Sequence, residues 1–412
     1  VFGVQPPAGR GQSVAPAGVP AAAVPAYQTA HPERGFMYQQ GGTMAAPIVR
    51  PGGIGGTSGF VKSPNFRMDL RAMDVGDVDG DGNDEYVLAD TQKVSIYRRA
   101  ENRYTLAGQY EIPHRYRIHG VTIGDLNNNG RGEIYVSAAD TKEPRSTVLE
   151  WNGKEFAPLF TEQPWYLRAL SLPGQGMILA GQKSAVDGPL MPGIHRLEPK
   201  GSSLLVQAEK LPVPDMVNLF DFAVADLDGD GASEVIAIDQ YDHLLVRRQS
   251  GKILYQSDDY YGGTTRFIGG QEAMGMADKA TIEDLGRVYV PSRLVIADVN
   301  RDGLPDVLIN KNLSSSSRVF RNAKSYPSGE IHALTWNGIA LTELWRTRKI
   351  DGYISDYQLN PDKDGSGGTL AVGIVLRGGV VDSLADGEST VLSYRLDFVA
   401  DAEKNGDSPA KQ

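Results

Sequence analysis

The sequence predicts an all-β chain folded as a six-bladed β-propeller, and three observations carry that expectation. A nine-residue acidic pattern, closed by a last carboxylate, recurs along the chain, and each copy runs straight into an apolar stretch. Counted from first residues at 77, 125, 171, 226, 298 and 360, the copies are separated by 48, 46, 55, 72 and 62 residues. One four-stranded propeller blade takes about 45 residues. The third observation is composition: Gly 48 and Pro 24 favour many turns over long helices, while a hydrophobic fraction of 41% suffices for a core.

Residues 1–58 are rich in Pro, Ala and Gly and nearly free of charge, which predicts an extended arm without a core of its own. Its apolar anchors would be Val1, Phe2, Val4, Phe36, Met37 and Tyr38, set against another chain rather than the propeller. The propeller is expected over 59–400. Phe60-Val61-Lys62 reads as a fourth strand lying ahead of the first loop. The loops then follow: Asp77 to Glu85 before Tyr86-Val87-Leu88, and the softer copy Asp125 to Glu133. A degenerate, carboxylate-free turn comes next at Ser171 to Gly176. Asp226 to Glu234 precedes Val235-Ile236-Ala237-Ile238, and Asp298 to Asp306 precedes Val307-Leu308-Ile309. A broken copy begins at Asn360.

Between loops, Trp151-Asn152-Gly153 and Trp336-Asn337-Gly338 repeat inside matching strand-like runs, and Asn-Gly at such a place signals a hairpin. Each unit therefore reads strand, loop, strand, strand, hairpin turn, strand. The last unit reaches Val391 to Leu396 and lacks a fourth strand, which the segment at Phe60 would supply, closing the ring and removing its edges. Seven blades is the rival count, but the 72 residues between 226 and 298 are too few for two, so residues about 259–290 are read as an insertion. Residues 401–412 form a polar tail.

The loops carry the chemistry. Oxygen side chains at the first, third and fifth positions, glycine at the sixth and an acid at the ninth suit a hard cation, which takes about six to eight oxygens. The candidate ligands are Asp77, Asp79, Asp81, Asn83 and Glu85; Asp125, Asn127, Asn129, Arg131 and Glu133; Asp226, Asp228, Asp230, Ala232 and Glu234; Asp298, Asn300, Asp302, Leu304 and Asp306; and, in the broken copy, Asn360, Asp362 and Asp364. Asn83, Arg131, Ala232 and Leu304 stand at the seventh position, where a backbone carbonyl normally serves. An EF-hand would need a twelfth-position acid; that place holds Leu88, Ala237 or Ile309. By carboxylate count, the loops at Asp77 and Asp226 should bind most tightly, with four each.

Other chemistries find little support. A net charge of −10 and a pI near 5.2 argue against nucleic acid, and zero cysteines exclude disulfides and thiolate sites. No apolar run is long enough to cross a bilayer as a helix. The six histidines form no zinc motif, and no nucleophile elbow, phosphate loop or dinucleotide fingerprint occurs. Trp165, Tyr166, Trp345, Tyr260 and Tyr261 are candidates for a ligand-binding rim, though strand aromatics more often pack blades; Arg115, Tyr116 and Arg117 are the best candidates for an exposed contact.

The Asp-x-Asp-Gly-Asp-Gly-x-x-Glu loops before β-runs resemble FG-GAP/VCBS repeats, the calcium-binding blades of integrin α-subunit heads and of many bacterial surface proteins. The resemblance covers about 59–400. It implies three to five Ca2+ ions and a secreted, periplasmic or cell-surface setting. The favoured reading is a non-catalytic interaction or assembly module, in which the arm is a tether or a segment laid on a neighbour, with a protein partner or self-assembly through it. A polysaccharide lyase or hydrolase, or a lectin, on the same scaffold is the alternative, with carbohydrate as ligand.

Overall fold

The computed structural model describes residues 48–49, 60–101, 103–140, 143–186, 189–201, 204–269, 287–314, 324–376 and 387–398. Among these, every regular element is a strand. Six antiparallel sheets follow one another along the chain and make a six-bladed propeller. Blade 1 runs Ala72–Gly76, Glu85–Ala89, Lys93–Ala100 and Arg103–Glu111. Blade 2 runs Arg117–Gly124, Glu133–Ala139, Ser146–Trp151 and Phe156–Gln163, and blade 3 runs Tyr166–Leu172, Gly176–Gln182, His195–Lys200 and Leu204–Lys210. Blade 4 comprises Phe222–Ala225, Glu234–Ile238, His243–Arg248 and Ile253–Tyr260. Blade 5 comprises Val295–Ala297, Asp306–Leu313, Ser328–Trp336 and Leu341–Thr347. Blade 6 has only three consecutive strands, Tyr353–Pro361, Gly367–Leu376 and Glu388–Asp397.

The fourth strand of blade 6 comes from the other end of the propeller. Phe60–Lys62 pairs with its outer strand in the register Phe60 to Tyr394, Val61 to Ser393 and Lys62 to Leu392. The Phe60 and Tyr394 rings lie 5.6 Å apart, and Phe66–Arg67 adds two further pairs with the same strand. This is the closure that the incomplete last unit predicts, and it leaves no blade 6 edge unpaired at that place.

The period-two alternation of each strand explains why the blades associate as a ring. In blade 1, Val87 faces a cluster shared with Ile118, Ile134 and Leu149 of blade 2, while its neighbour Leu88 packs with Ala371 and Val391 of blade 6. Leu167 and Leu197 of blade 3 join Tyr135 and Val148 of blade 2. Ile178 joins Phe222 and Val235 of blade 4, Ile236 joins Val307 and Ile309 of blade 5, and Leu308 joins Tyr357 and Leu392 of blade 6. Both faces of each central strand are covered, so these strands read as continuous apolar runs rather than alternating ones.

The Asn-Gly turns close as expected. Asn152 Oδ1 accepts the amides of Lys154 and Glu155 at 3.0 Å, and Asn337 Oδ1 accepts those of Ile339 and Ala340 at 3.0 and 2.9 Å. Gly153 and Gly338 sit at φ of 88° and 93°, where a side chain would be strained.

The stretch between blades 4 and 5 is outside both sheets. A two-stranded ribbon, Phe267–Ile268 with Val288–Tyr289, marks its stem, and residues 270–286 lie outside the described residues. Arg266 and Arg293, on either side of the ribbon, enter the propeller axis. Most of the arm, with its six anchors, and the 401–412 tail are likewise outside the described residues. Where the arm is described, it departs from expectation: Ile48–Val49 pairs with the outer strand of blade 5, Ile48 to Thr347 and Val49 to Arg346. There the arm adds to this chain's own propeller rather than to another chain, because that outer strand still offers unpaired backbone groups.

Candidate cation loops at one face of the propeller

Each acidic loop joins the innermost strand of a blade to the second, so the four intact loops, at 77–85, 125–133, 226–234 and 298–306, share one face of the ring. Their backbones fold alike. The fourth and sixth positions have positive φ in every copy: Gly80 and Gly82, Asn128 and Gly130, Gly229 and Gly231, Arg301 and Gly303. The first-position carboxylate accepts the sixth-position amide at 2.8 Å for Gly82 to Asp77, 2.9 Å for Gly130 to Asp125, 2.9 Å for Gly231 to Asp226 and 3.0 Å for Gly303 to Asp298. The fifth-position oxygen accepts the seventh amide in the same four loops, from Asn83, Arg131, Ala232 and Leu304 to Asp81, Asn129, Asp230 and Asp302. These bonds hold the oxygens of each loop together.

The closing acid is the first residue of the second strand, and burial follows from that place. Glu85, Glu133, Glu234 and Asp306 are all at most 2% exposed. One oxygen of each accepts the amide of the loop's second residue, at 3.2 Å from Val78, 2.8 Å from Leu126, 3.1 Å from Leu227 and 3.0 Å from Val299. Burial pushes the Glu85 carboxyl up to about 7, with the Val78 amide opposing, and pushes Asp306 up to about 7 as well. Glu133 and Glu234 are raised by the same cause. Burial disfavours the charged form of each, and at Glu85 and Glu234 the neighbouring Arg98 and Arg248 oppose that shift.

The donors fit a hard cation. The oxygens of Asp77, Asp79 and Glu85 lie within 4.8 Å of one another, as do those of Asp226, Asp228 and Asp230. Glu133 Oε1, Asp226 Oδ1 and Asp306 Oδ1 are buried with no hydrogen-bond partner. A side-chain hydrogen bond from Thr335 opposes the rise at Asp306 and leaves Oδ1 without a partner. Asn127 and Asn129, by contrast, turn their amide nitrogens to Glu150, at 3.4 and 2.6 Å. Asn300 is buried and donates to Asp302 at 3.0 Å.

The copy at Asn360 does not form such a loop. Asn360 and Pro361 continue the strand ladder, opposite Thr369 and Gly368, so the turn shortens to the residues between Pro361 and Gly367. Asn360 donates instead to Val75 O at 3.1 Å and to Asp84 at 2.9 Å, both in blade 1. Asp362 is taken by Arg395, and Asp364 accepts the Ser366 amide and hydroxyl. The turn at 171 is a plain hairpin, with Leu172 opposite Gly176.

Loop residues also meet across blades. The Gly132 amide donates to Asp77 O at 2.9 Å, tying the second loop to the first. Inside the ring of loops opens an axial channel of about 630 Å³, lined by Asp74, Arg168, Met177, Ala225, Leu304 and Asp356 among others. Arg293 crosses it, 2.9 Å from Asp74 and 3.2 Å from Asp356. Arg168 donates to Leu219 O and Phe222 O at 2.9 and 2.8 Å, and Arg266 donates to Arg71 O, His119 O and Pro291 O.

Of the aromatic and basic candidates, Trp165, Tyr166, Tyr261 and Trp345 are buried packing residues, and only Tyr260 is exposed. Tyr116 is 2% exposed, which removes it as a contact residue: its ring sits in the cluster between blades 1 and 2, under the Arg115 guanidinium. Arg115 and Arg117 remain exposed. Sequence reading missed Arg98, Glu150 and Arg248, which approach the loops from the third strand of their blades. Only the pairing register brings them there, with Arg98 opposite Glu85 and Arg248 opposite Glu234.

Residues 77–136 match the family model described as an FG-GAP-like repeat, a span that holds the first two loops. No curated protein sequence matches the chain. Among solved structures, it is similar to BBS1N in complex with ARL6DN, in a crystal soaked with mercury, at 11% identity and TM-score 0.42. A lead-soaked crystal of the same complex gives 11% identity and TM-score 0.40; in both, the match covers 84% of this chain and 99% of that one.

Proposed function

We propose that this FG-GAP-repeat β-propeller is a non-catalytic, calcium-stabilised interaction module that works outside the cytosol, secreted, periplasmic or on a bacterial cell surface. One observation carries the reading: four loops of the same backbone geometry each set a buried carboxyl beside a ladder of side-chain oxygens. Asp77, Asp79, Asp81 and Glu85 would hold one ion, with the carbonyl of Asn83. The loops at Asp125, Asp226 and Asp298 would act likewise. Calcium adds positive charge among these carboxylates and ties the first two strands of a blade at their turn. Its binding energy therefore becomes folding energy.

Chelator treatment followed by thermal melting tests this. Stripping divalent ions should lower the melting temperature and millimolar calcium should restore it, whereas a transition indifferent to both overturns the structural ion. The interaction role is read separately. Sedimentation of the full chain against a chain beginning at Gly59 should show assembly lost while the shortened protein stays folded and still binds calcium. Incubation with a polysaccharide panel reports on the alternative, since cleavage would make the protein an enzyme and retention without cleavage a lectin.

A further inference from the structure

The residue that stands beside the closing acid, on the third strand, differs from blade to blade. In blade 1 it is Arg98, opposite Glu85; in blade 4 it is Arg248, opposite Glu234. In blade 2, Leu149 pairs with Ile134, so Glu150 follows beside Glu133; in blade 5, Val307 pairs with Leu334, so Thr335 stands beside Asp306.

The two arginines reach into their loops. Arg98 bonds Asp79 and brings Nε to 3.6 Å from Glu85 Oε1. Arg248 lies 2.5 Å from Glu234 Oε1, 3.7 Å from Asp228 and 3.4 Å from Asp230. These are the loops richest in carboxylates, and among the described residues they hold the two tight clusters of three. A guanidinium with five donors in a fixed fork gathers carboxylates much as a metal would. In the other two loops no arginine among the described residues meets the closing acid. The closing acids there keep a buried oxygen without a hydrogen-bond partner, Glu133 Oε1 and Asp306 Oδ1, whereas in the loop at 226 such an oxygen is left on the first-position Asp226 and the closing Glu234 is met by Arg248. Glu150 turns one oxygen to Asn129 and Asn127, while Arg131 approaches its other oxygen at 3.5 Å.

We propose that Arg98 and Arg248 are built-in counter-cations of the loops at 77 and 226, which a divalent ion enters only by displacing a guanidinium. The first ions therefore go to the loops at 125 and 298, with Glu150 as an added carboxylate for the former. This ordering reverses the one that carboxylate number suggests, and it rests on the calcium reading above. Both arginines have an exit, since their side chains are 44% and 35% exposed. The design keeps the loops with the most self-repulsion neutralised when calcium is scarce, and it reserves their ions for high concentration.

Calorimetric titration of the chelator-treated full chain with calcium chloride tests the proposal. Glu133→Gln and Asp306→Asn should each delete one tight site. Arg98→Gln and Arg248→Gln should each tighten one weak site about tenfold, the worth of one charge-assisted bond, and lower the melting temperature of the calcium-free protein. Arg98→Lys keeps the positive charge and should keep the weak affinity, which separates charge from packing. Loss of the tight class in Asp79→Asn and Asp228→Asn, with the arginine variants binding as wild type, would overturn the ordering alone. Absence of binding heat in every protein would instead overturn the calcium reading.

Discussion

The carboxyls of Glu133 and Glu85 occupy the same place in their loops and differ in what meets their second oxygen, a contrast that two residues on a neighbouring strand decide. The shared geometry of the four loops was legible because each encodes its turn within nine residues. Arg98, Arg248 and Glu150 were not, because only strand pairing places them. Asp79→Ala should lower stability in calcium by about 1 kcal/mol, through weaker ion binding and a lost Arg98 partner, with Asp228→Ala similar; thermal melts in calcium and in chelator measure both. A second residue-scale effect concerns His119, 6% exposed with Nδ1 unpartnered. Burial, with Arg71, Arg266 and Arg117 nearby, pushes its imidazole down to about 3. The unfolded chain, with an ordinary histidine near 6.5, then takes up a proton that the folded one refuses, so stability falls as pH drops below that value. Between pH 7 and 5 the loss from this group is about 2 kcal/mol. His119→Phe should flatten the difference in melting temperature between those two pH values, and an unchanged difference would remove His119 as the cause.

Blade by blade, the strands and their hairpins followed from alternation, loop spacing and the Trp-Asn-Gly turns. The broken copy at Asn360 misled because its acids suggest a nine-residue loop, whereas Pro361-to-Gly368 pairing lets the ladder run on into a short turn. Some glycines matter for contact between blades rather than for turns. A Cβ on Gly108 would stand 2.5 Å from the Trp151 ring, which is itself buried between blades 1 and 2. Gly108→Ala should therefore cost about 1–3 kcal/mol by forcing the indole aside, read as a fall in denaturant midpoint at unchanged slope. Little in the sequence marks this glycine, since its partner lies in the next blade.

Across the whole ring, the stretch that links blades 4 and 5 also fastens two other blades. Arg293, which sequence patterning does not single out, joins Asp74 of blade 1 to Asp356 of blade 6 and also donates to Met73 O and Val121 O. Arg293→Met would leave two buried carboxylates facing each other, and unfolding should become easier by about 3–5 kcal/mol. Chemical denaturation measures this; a loss below about 1 kcal/mol would mean that channel water serves as well as the guanidinium. The closure of blade 6 has a mechanical consequence. Phe60–Lys62 runs antiparallel to Glu388–Asp397, so the arm leaves at Phe60 from the same end of the ladder at which the outer strand leaves past Asp397. Tension applied between those two exits loads the pairs Phe60–Tyr394, Val61–Ser393 and Lys62–Leu392 one after another, as a zipper rather than in shear. Once the two arm pairs on blade 5 have given way, a molecule pulled from both ends would open at this seam and bare a strand edge, while one held by a single end would carry load with its seam at rest.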